Sequence, residues 1–345
     1  MNKFLSLPEK HRRDAIIQTA AKLNMEPAAV EKDFWVCWML QRLFHSKLAE
    51  SIIFKGGTSL SKVYGLIQRF SEDIDLILNW DGFCRSGDWN PGVRYGKSRR
   101  EEMLRELDAW NVREIATSLL PIVKECCGEI CTAHISEEEP ESILVDYPKL
   151  WEVTYIRPEI KLEIGPKAAW NPNEEHTIVP YVAEVYPHLF GECKVRVRAT
   201  TDERAFWEKV TILHAQVNRL SPLPKRYARH YYDTIMMARN ADLKQRAFHN
   251  VTLLYQVASF KYYFYRAGWA DYPNAQPGSM HLLPQEHILE ELKSDYDAMR
   301  REMLPPDAPD LATLLNELQT LETEINQLSP LSLDIRNYPT LAPLA

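Results

Sequence analysis

The sequence predicts an α+β protein: a mixed sheet with flanking helices, followed by an α-helical C-terminal domain. Short apolar runs of strand length alternate with helix-period segments over the first 200 residues, whereas only helix-period segments follow Thr200. With 345 residues, the chain is long enough for two domains. We predict an α/β domain with N-terminal helices at 1–200, a helical domain at 201–328 and an irregular surface tail at 329–345.

The first elements follow from apolar spacing. Residues from about Pro8 to Phe44 are predicted to form two helices, and Pro27 suits the first turn of the second helix. Ser51–Phe54 is predicted to be a short buried strand. A helix is expected over Ser59–Phe70, starting at a glycine pair, and Asp73–Leu78 is expected to be the next strand.

The rest of the chain follows the same rules. Residues 79–98 are expected to form a loop, and 98–127 a helix that Pro121 kinks or ends early. The further strand candidates are Glu129–Ile135, Ile143–Val145, Trp151–Ile156 and Glu159–Ile164, with edge elements at Ile178–Tyr186 and Lys194–Arg198. The predicted C-terminal helices are 202–220, 225–240, 244–267, 286–303 and 310–328.

Bulk composition limits the classes of partner. The net charge of −7 argues against a broad nucleic-acid surface, so DNA is not an expected partner, although a local basic patch remains compatible with it. No apolar run is long enough to span a membrane, and the N-terminus becomes charged too early for a signal peptide. We therefore expect a cytoplasmic protein without a membrane partner.

The cysteines offer a zinc hypothesis and a simpler one. Cys126, Cys127 and Cys131 lie near His134, which is a possible ligand set. The group contains no C-x-x-C pair, and two of its cysteines are adjacent, so reduced and mostly buried thiols are the favoured interpretation.

An Asp-x-Asp pair is the first candidate site. Asp73 and Asp75 lie two residues apart on a predicted strand and therefore point to the same face, while Ile74 and Leu76 point to the core. Asp is disfavoured in strands. A solvated strand edge would explain the pair simply, but the apolar flanks favour a Mg²⁺ site, because Mg²⁺ prefers oxygen ligands and shares them with substrate phosphates.

A glycine and hydroxyl segment stands just upstream. Gly56 and Gly57 allow close approach of the backbone to a phosphate, the following helix offers free N–H groups, and Thr58 and Ser59 add hydroxyl donors. Two glycines at a helix start are common, and no Walker A ending is present. The segment indicates phosphate binding only because it lies just before the Asp pair. A phosphate-binding segment next to a metal site suits an enzyme that holds a nucleoside triphosphate and transfers the nucleotide.

A third carboxylate would complete a two-metal site. Glu163 on the alternating strand IKLEI is the candidate, with Lys161 on the same face, although any half-exposed strand alternates in this way. In the expected mechanism the carboxylates hold one or two Mg²⁺ ions, an acceptor hydroxyl attacks the α-phosphorus, and pyrophosphate leaves.

Two groups in the helical half are further candidates. Lys209 could reach triphosphate oxygens, or could be an ordinary solvated lysine. A basic cluster interleaved with tyrosines could contact phosphate or RNA; its members are Lys225, Arg226, Arg229 and His230. The alternative explanation is an i,i+4 ion pair between Arg229 and Asp233.

Three sequence blocks together resemble the AbiEii/AbiGii family of nucleotidyltransferase toxins. They are KGGTSLSKVYGLIQRFSEDIDL at 55–76, FWEKVTILH at 206–214 and RHYYDTIMMA at 229–238. VEKDFWVCWML at 30–40 and SDYDAM at 294–299 extend the resemblance more weakly. It implies the DNA polymerase β-like nucleotidyltransferase fold over most of the chain, to about residue 328.

The resemblance also implies roles for residues. The phosphate-binding segment would comprise Lys55, Gly56, Gly57, Thr58 and Ser59, with Gly57 and Thr58 in the family's Gly-Ser/Thr motif. Asp73 and Asp75 would bind metal, Lys209 would contact the nucleotide, and Asp233 would be the acidic residue of the last motif, so that these four are the expected catalytic residues. The third carboxylate is commonly Asp in the wider fold, whereas this chain offers Glu163.

Family membership would make the chain the toxin of a toxin–antitoxin or phage-defence system. An NTP would be the substrate, Mg²⁺ the cofactor, an adjacent antitoxin the partner, and a tRNA 3′ end or a protein hydroxyl the acceptor. Transfer to a small molecule such as an aminoglycoside is one alternative. A non-catalytic nucleotide-binding module is another, although such a module would not need both Asp73 and Asp75.

Overall fold

The computed structural model describes residues 1–86, 89, 93–151 and 157–337. The chain forms two compact units. The first comprises Met1–Val63, Phe70–Asn90 and Tyr95–Thr200, and the second comprises Tyr64–Arg69, Pro91–Arg94 and Thr201–Ala345. The predicted domain limits at 200 and 328 remain predictions.

A seven-stranded mixed sheet organises the first unit, as the fold prediction requires. Its strands are β1 (Ile52–Lys55), β2 (Ile74–Leu78), β3 (Thr132–Ile135), β4 (Ser142–Asp146), β5 (Ile160–Gly165), β6 (Asn173–Ile178) and β7 (Val195–Thr200). Their order is β3-β4-β5-β2-β1-β7-β6. Strand β2 lies at the centre, antiparallel to β1 and parallel to β5, and β1 is parallel to β7.

Eight helices accompany this sheet in the described part of the first unit. They are α1 (Asn2–Leu5), α2 (Glu9–Leu23), α3 (Pro27–Phe44), α4 (Gly56–Lys62), α5 (Asp81–Ser86), α6 (Lys97–Glu114), α7 (Leu120–Cys127) and α8 (Tyr181–Val185). Helix α3 begins with Pro27, whose fixed φ suits a first turn. It is buried on nearly all sides, with Trp35, Trp38 and Leu40 at most 2% exposed.

Three expectations for the first unit, two helices and a loop, need correction. The helix expected over 59–70 begins at Gly56 and ends at Lys62, and Gly65 follows with a φ of +63° that a right-handed helix excludes. The loop expected at 79–98 contains α5. The helix expected over 98–127 is interrupted by a π-helical segment, Ile115–Leu119, that precedes Pro121.

The strand elements after residue 150 also differ from expectation. The strand expected at 151–156 lies outside the described residues except for Trp151, which is not in a strand. The element expected over 178–186 is helix α8, preceded by the end of β6. The one expected over 194–198 is β7, which lies inside the sheet between β1 and β6.

The described part of the second unit is helical, as predicted. Its helices are α9 (Asp202–Val217), α10 (Ala228–Arg239), α11 (Ala241–His249), α12 (Val251–Phe264), α13 (Leu289–Glu302) and α14 (Leu311–Asn326). The single helix expected over 244–267 is two helices that meet at Asn250. Most described residues of the tail are exposed, as expected for a surface segment. Ile335 is an exception at 1% exposed, and the N–H of Leu331 donates to the hydroxyl of Tyr255.

Candidate functional site

The carboxylate of Asp75 lies directly against the backbone of Gly56. Gly56 follows β1, opens α4 and has a φ of +80°. A Cβ atom added at this position would lie 1.8 Å from Oδ2 of Asp75. Only glycine leaves room for that carboxylate and adopts this φ without strain. In the β1–β2 ladder, Lys55 is the register partner of Asp75.

Hydroxyl groups of α4 fix the turn that precedes β2. Thr58 is buried, and its Oγ1 donates to the carbonyl oxygen of Asp73 at 2.6 Å and lies 3.0 Å from Oγ of Ser71. Ser59 is also buried. Among the described residues, no side chain caps the N terminus of α4. In this structure the Thr58 hydroxyl therefore positions the Asp pair, and its predicted phosphate contact remains a prediction.

One oxygen of Asp73 is buried without a hydrogen-bond donor. It is Oδ1, and the residues that the structure describes supply it with no partner. Asp75 follows two positions later on β2, while the intervening Ile74 and the next residue, Leu76, are buried in the core as predicted. A buried carboxylate oxygen without a donor is costly in an apolar environment. A bound cation would satisfy it.

Glu163 lies on the strand beside the Asp pair, but its side chain is engaged elsewhere. It is the register partner of Asp75 in the parallel β2–β5 ladder, which places both on one face of the sheet. Its carboxylate is half exposed and lies 3.1 Å from Nζ of Lys161, which also contacts Glu139. Within the described ranges, no three His, Cys, Asp or Glu side chains are grouped to hold a metal ion. The assignment of Glu163 as a third ligand remains a prediction.

Lys209 and Asp233 meet in the second unit, in a cluster that also contains Arg69. Asp233 is fully buried and accepts two hydrogen bonds from Arg69, from Nε to Oδ1 at 2.7 Å and from Nη2 to Oδ2 at 2.9 Å. Nζ of Lys209 donates to Oδ2 of Asp233 at 2.8 Å. The ion-pair partners of Asp233 are therefore Arg69 and Lys209, whereas the sequence had suggested Arg229 as the simple alternative.

The charges in this cluster follow from burial and pairing. Burial favours the neutral acid, but Arg69 and Lys209 outweigh it and hold the pKa of Asp233 below its ordinary value. Burial lowers the pKa of Lys209, which Asp233 partly offsets. Burial, then Lys209 and Arg229, lower the pKa of His230 well below its ordinary value. His230 is therefore neutral near pH 7 and adds no positive charge to the basic cluster.

The remaining basic residues lie where α10 begins. Lys225 and Arg226 are exposed, and Arg226 has a left-handed φ of +60°. Asp295 of α13 accepts hydrogen bonds from the backbone N–H groups of Arg226 at 2.8 Å and Ala228 at 2.7 Å, which holds this segment in place. Arg229 is partly buried. Their predicted contact with RNA remains a prediction.

Sequence reasoning missed Arg69, Lys32 and Asp33. Arg69 looked like a polar position on a helix that in fact ends before it. Together with Glu31, Lys32 and Asp33 are buried charges in a helix whose other buried residues are apolar, and that contrast was a signal in the sequence. The three cysteines considered as zinc ligands are buried free thiols. Along the described parts of the chain, no helix has the length and apolar character needed to cross a membrane.

A family model matches most of the chain. It is described as the nucleotidyl transferase AbiEii toxin of type IV toxin–antitoxin systems and covers residues 38–317. The chain belongs to the AbiEii family. The predicted family and the predicted class of enzyme, a nucleotidyltransferase, are thereby confirmed. No curated protein sequence matches the chain.

Two solved structures align with this AbiEii protein over most of its length. MenT4, a nucleotidyltransferase toxin from Mycobacterium tuberculosis H37Rv, aligns with a TM-score of 0.52 and 15% identity over 91% of this chain and 90% of that one. A putative nucleotidyltransferase from H. pylori aligns with a TM-score of 0.45 and 17% identity over 88% of this chain and 96% of that one. The first match supports the predicted nucleotidyltransferase-like fold.

Proposed function

We propose that this AbiEii toxin transfers a nucleoside monophosphate from an NTP to an acceptor hydroxyl in a Mg²⁺-dependent reaction. The acceptor oxygen would attack the α-phosphorus and lose its proton. The bond from that phosphorus to the oxygen bridging to the β-phosphate would break, and pyrophosphate would leave. The observation that carries the metal assignment is the buried Oδ1 of Asp73, which has no donor among the described residues.

The chain's own groups suit this role. Asp73 and Asp75 would hold Mg²⁺, since both offer carboxylate oxygens, Asp75 from β2 and Asp73 from the position directly before it. When bound, the ion would neutralise charge on the triphosphate and favour ionisation of the acceptor hydroxyl. The N-terminus of α4, with Gly57 and Ser59 at its start, would face the phosphates. Glu163 is the proposed third carboxylate, and it would have to leave Lys161 to bind the ion.

The roles proposed for the second unit come from the family resemblance. Lys209 would contact the nucleotide, and its present partner is Asp233. Lys225, Arg226 and Arg229 would bind an RNA acceptor, such as a tRNA 3′ end, through phosphate contacts. His230 would contribute a neutral ring. A protein hydroxyl is the other proposed acceptor. We also propose a cytoplasmic location, a cognate antitoxin as partner and a role in phage defence.

A transfer assay tests the reaction. Purified protein is incubated with Mg²⁺, each α-labelled NTP in turn and total tRNA, beside an Asp73→Ala, Asp75→Ala double variant. We expect label on RNA or on protein with the wild type and none with the double variant. Asp108→Ala is the matched control, because it removes an exposed carboxylate of α6 that forms an ion pair with Lys167 and lies outside the proposed site. Equal labelling by the wild type and the double variant would refute the metal assignment.

The antitoxin proposal has a separate test. The toxin is expressed with and without the protein encoded beside it, and growth is measured together with transfer in the lysate. We expect growth arrest that the neighbouring protein relieves and that the double variant does not cause. Arrest that persists in the double variant would show that toxicity does not depend on Asp73 and Asp75.

A further inference from the structure

Three consecutive charged residues are buried in helix α3. Glu31, Lys32 and Asp33 are 2%, 0% and 6% exposed. Buried charges are rare in proteins and require partners. All three precede residue 38, where the family model begins to match. Each of the three binds a different segment of the first unit.

Asp33 holds the C-terminal end of α4. Its Oδ1 lies 2.9 Å from Nζ of Lys62, and its Oδ2 accepts a hydrogen bond from the N–H of Tyr181 at 2.7 Å. Lys62 is the last residue of α4 and also donates to the carbonyl oxygen of Val179 at 2.8 Å. Because α4 begins at Gly56, against the Asp75 carboxylate, the Asp33–Lys62 pair fixes a helix whose other end forms part of the proposed site.

Lys32 holds the segments that lead into β2 and β5. Its Nζ donates to the carbonyl oxygens of Arg157, at 2.7 Å, and Glu159, just before β5. The same Nζ lies 3.7 Å from Oε2 of Glu72, and that oxygen accepts the N–H of Arg157 at 2.9 Å. Glu72 directly precedes Asp73. The ammonium group therefore fixes the approach to the Asp pair on one strand and the approach to Glu163 on the next.

Glu31 provides an internal comparison. It is as buried as its two neighbours, but its carboxylate accepts hydrogen bonds from the N–H groups of Leu150, at 2.7 Å, and Trp151, at 3.3 Å. Among the residues that the structure describes, its hydrogen-bond partners belong neither to α4, nor to the turn before β2, nor to the residues directly before β5.

We propose that Lys32 and Asp33 are positioning residues for the metal site, and that they act through Glu72 and the 157–159 segment and through Lys62 and α4. Both side chains are buried and paired with protein groups, so their proposed role involves no contact with substrate. This proposal rests on the proposed function, because it presumes that Asp73 and Asp75 bind a divalent cation. Residues that hold metal ligands in place without touching the metal set the orientation of those ligands, and their loss commonly weakens metal binding by about 10- to 100-fold.

The test uses the full chain and Mn²⁺ alone as the probe. Mn²⁺ affinity is measured by electron paramagnetic resonance for the wild type, Lys32→Met, Asp33→Asn and Glu31→Gln, and unfolding in urea is measured without metal. Asp33→Asn keeps a carbonyl acceptor for the N–H of Tyr181 and removes the charged acceptor opposite Lys62. It therefore tests the proposal by itself if Lys32→Met does not fold. We expect the dissociation constant for Mn²⁺ to rise about 10- to 100-fold in Lys32→Met and Asp33→Asn.

The control separates positioning from general loss of stability. Glu31→Gln is expected to unfold at lower urea than the wild type but to keep its Mn²⁺ affinity. Wild-type affinity in both Lys32→Met and Asp33→Asn overturns the proposal, and so does an equal loss in Glu31→Gln. Absence of saturable Mn²⁺ binding in the wild type would instead overturn the metal site of the proposed function, and the positioning role with it.

Discussion

The contact between Gly56 and Asp75 gives the sharpest prediction for the proposed site. In Gly56→Ala, the new Cβ would lie 1.8 Å from Oδ2 and 2.5 Å from Cγ of Asp75. Real Cβ contacts essentially never fall below 3.0 Å, so Oδ2 must move by about 1.2 Å, the difference between these two values. Mg²⁺ binds oxygen at about 2.0–2.1 Å and tolerates little distortion, so this shift removes Asp75 from a shared site.

The expected effects of Gly56→Ala on stability and on metal binding have two separate causes, backbone strain and displacement of the Asp75 carboxylate. A left-handed φ costs a residue other than glycine about 1–2 kcal/mol, which lowers the free energy of unfolding by that amount. The displaced carboxylate adds to this cost and weakens metal binding. We therefore expect Gly56→Ala to stay folded, to bind Mn²⁺ more than about tenfold more weakly and to lose nucleotidyl transfer nearly as completely as Asp75→Ala.

Gly128→Ala is the matched control. Gly128 has a φ of +57° and lies in the same unit, but nothing lies within 4 Å of the position that its Cβ would take. This variant should lose stability and keep both metal affinity and transfer. Urea unfolding, Mn²⁺ titration and the tRNA labelling assay are run on both variants. The reasoning fails if Gly56→Ala keeps wild-type metal affinity, or if Gly128→Ala loses it equally.

Three further predictions concern charge and backbone strain. Asp233→Ala leaves the buried Arg69 and Lys209 without their carboxylate and should lower the free energy of unfolding by about 3–5 kcal/mol in urea; an unchanged midpoint would contradict this. Burial lowers the pKa of Lys32 from 10.5 to about 8. Between pH 8 and 10.5, the Lys32 amine is therefore protonated in the unfolded chain and mostly neutral in the folded one. In urea unfolding with EDTA present, the free energy of unfolding of the wild type relative to Lys32→Met should rise by at most about 3 kcal/mol as the pH rises from 8 to 10.5. A difference between the two proteins that does not change with pH would contradict the lowered pKa. Arg226→Gly should relieve a left-handed φ and keep or raise stability by up to about 1 kcal/mol, while labelling of tRNA falls if this arginine binds RNA.

Local sequence signals predicted the strand beside the Asp pair, which begins at Ile74, one residue later than expected, so that Asp73 directly precedes it. Ile74 and Leu76 are buried as their alternation predicted, and the following residues of β2 are buried as well. The start of α4 at the glycine pair was also foreseeable, because glycine permits the φ of +80° found at Gly56. Apolar periodicity did not predict that α4 ends at Lys62, because the helical spacing of apolar residues continues past Lys62 into residues that belong to the second unit.

Ion pairs between residues far apart in the sequence could not be predicted from local patterns. Arg69 and Asp233 are 164 residues apart, and no local pattern relates a carboxylate on one helix to an arginine so distant. The i,i+4 rule pointed instead to Arg229, which lies on the same helix. The break at Asn250 was missed for a similar reason, since the flanking helices both have apolar faces and only tertiary packing decides where the chain turns.

The buried contacts of the first unit explain how an unsatisfied oxygen at Asp73 can persist. The turn before β2 is held by the Thr58 hydroxyl at the carbonyl of Asp73 and by the ammonium of Lys32 beside Glu72. A carboxylate in a less constrained turn would rotate toward a donor or toward water, because an orphaned buried oxygen costs free energy. The folded chain instead keeps Asp73 in place at that cost. Stored strain of this kind is typical of sites that are preorganised for a ligand, so the same contacts that raise the energy of the metal-free protein would favour cation binding.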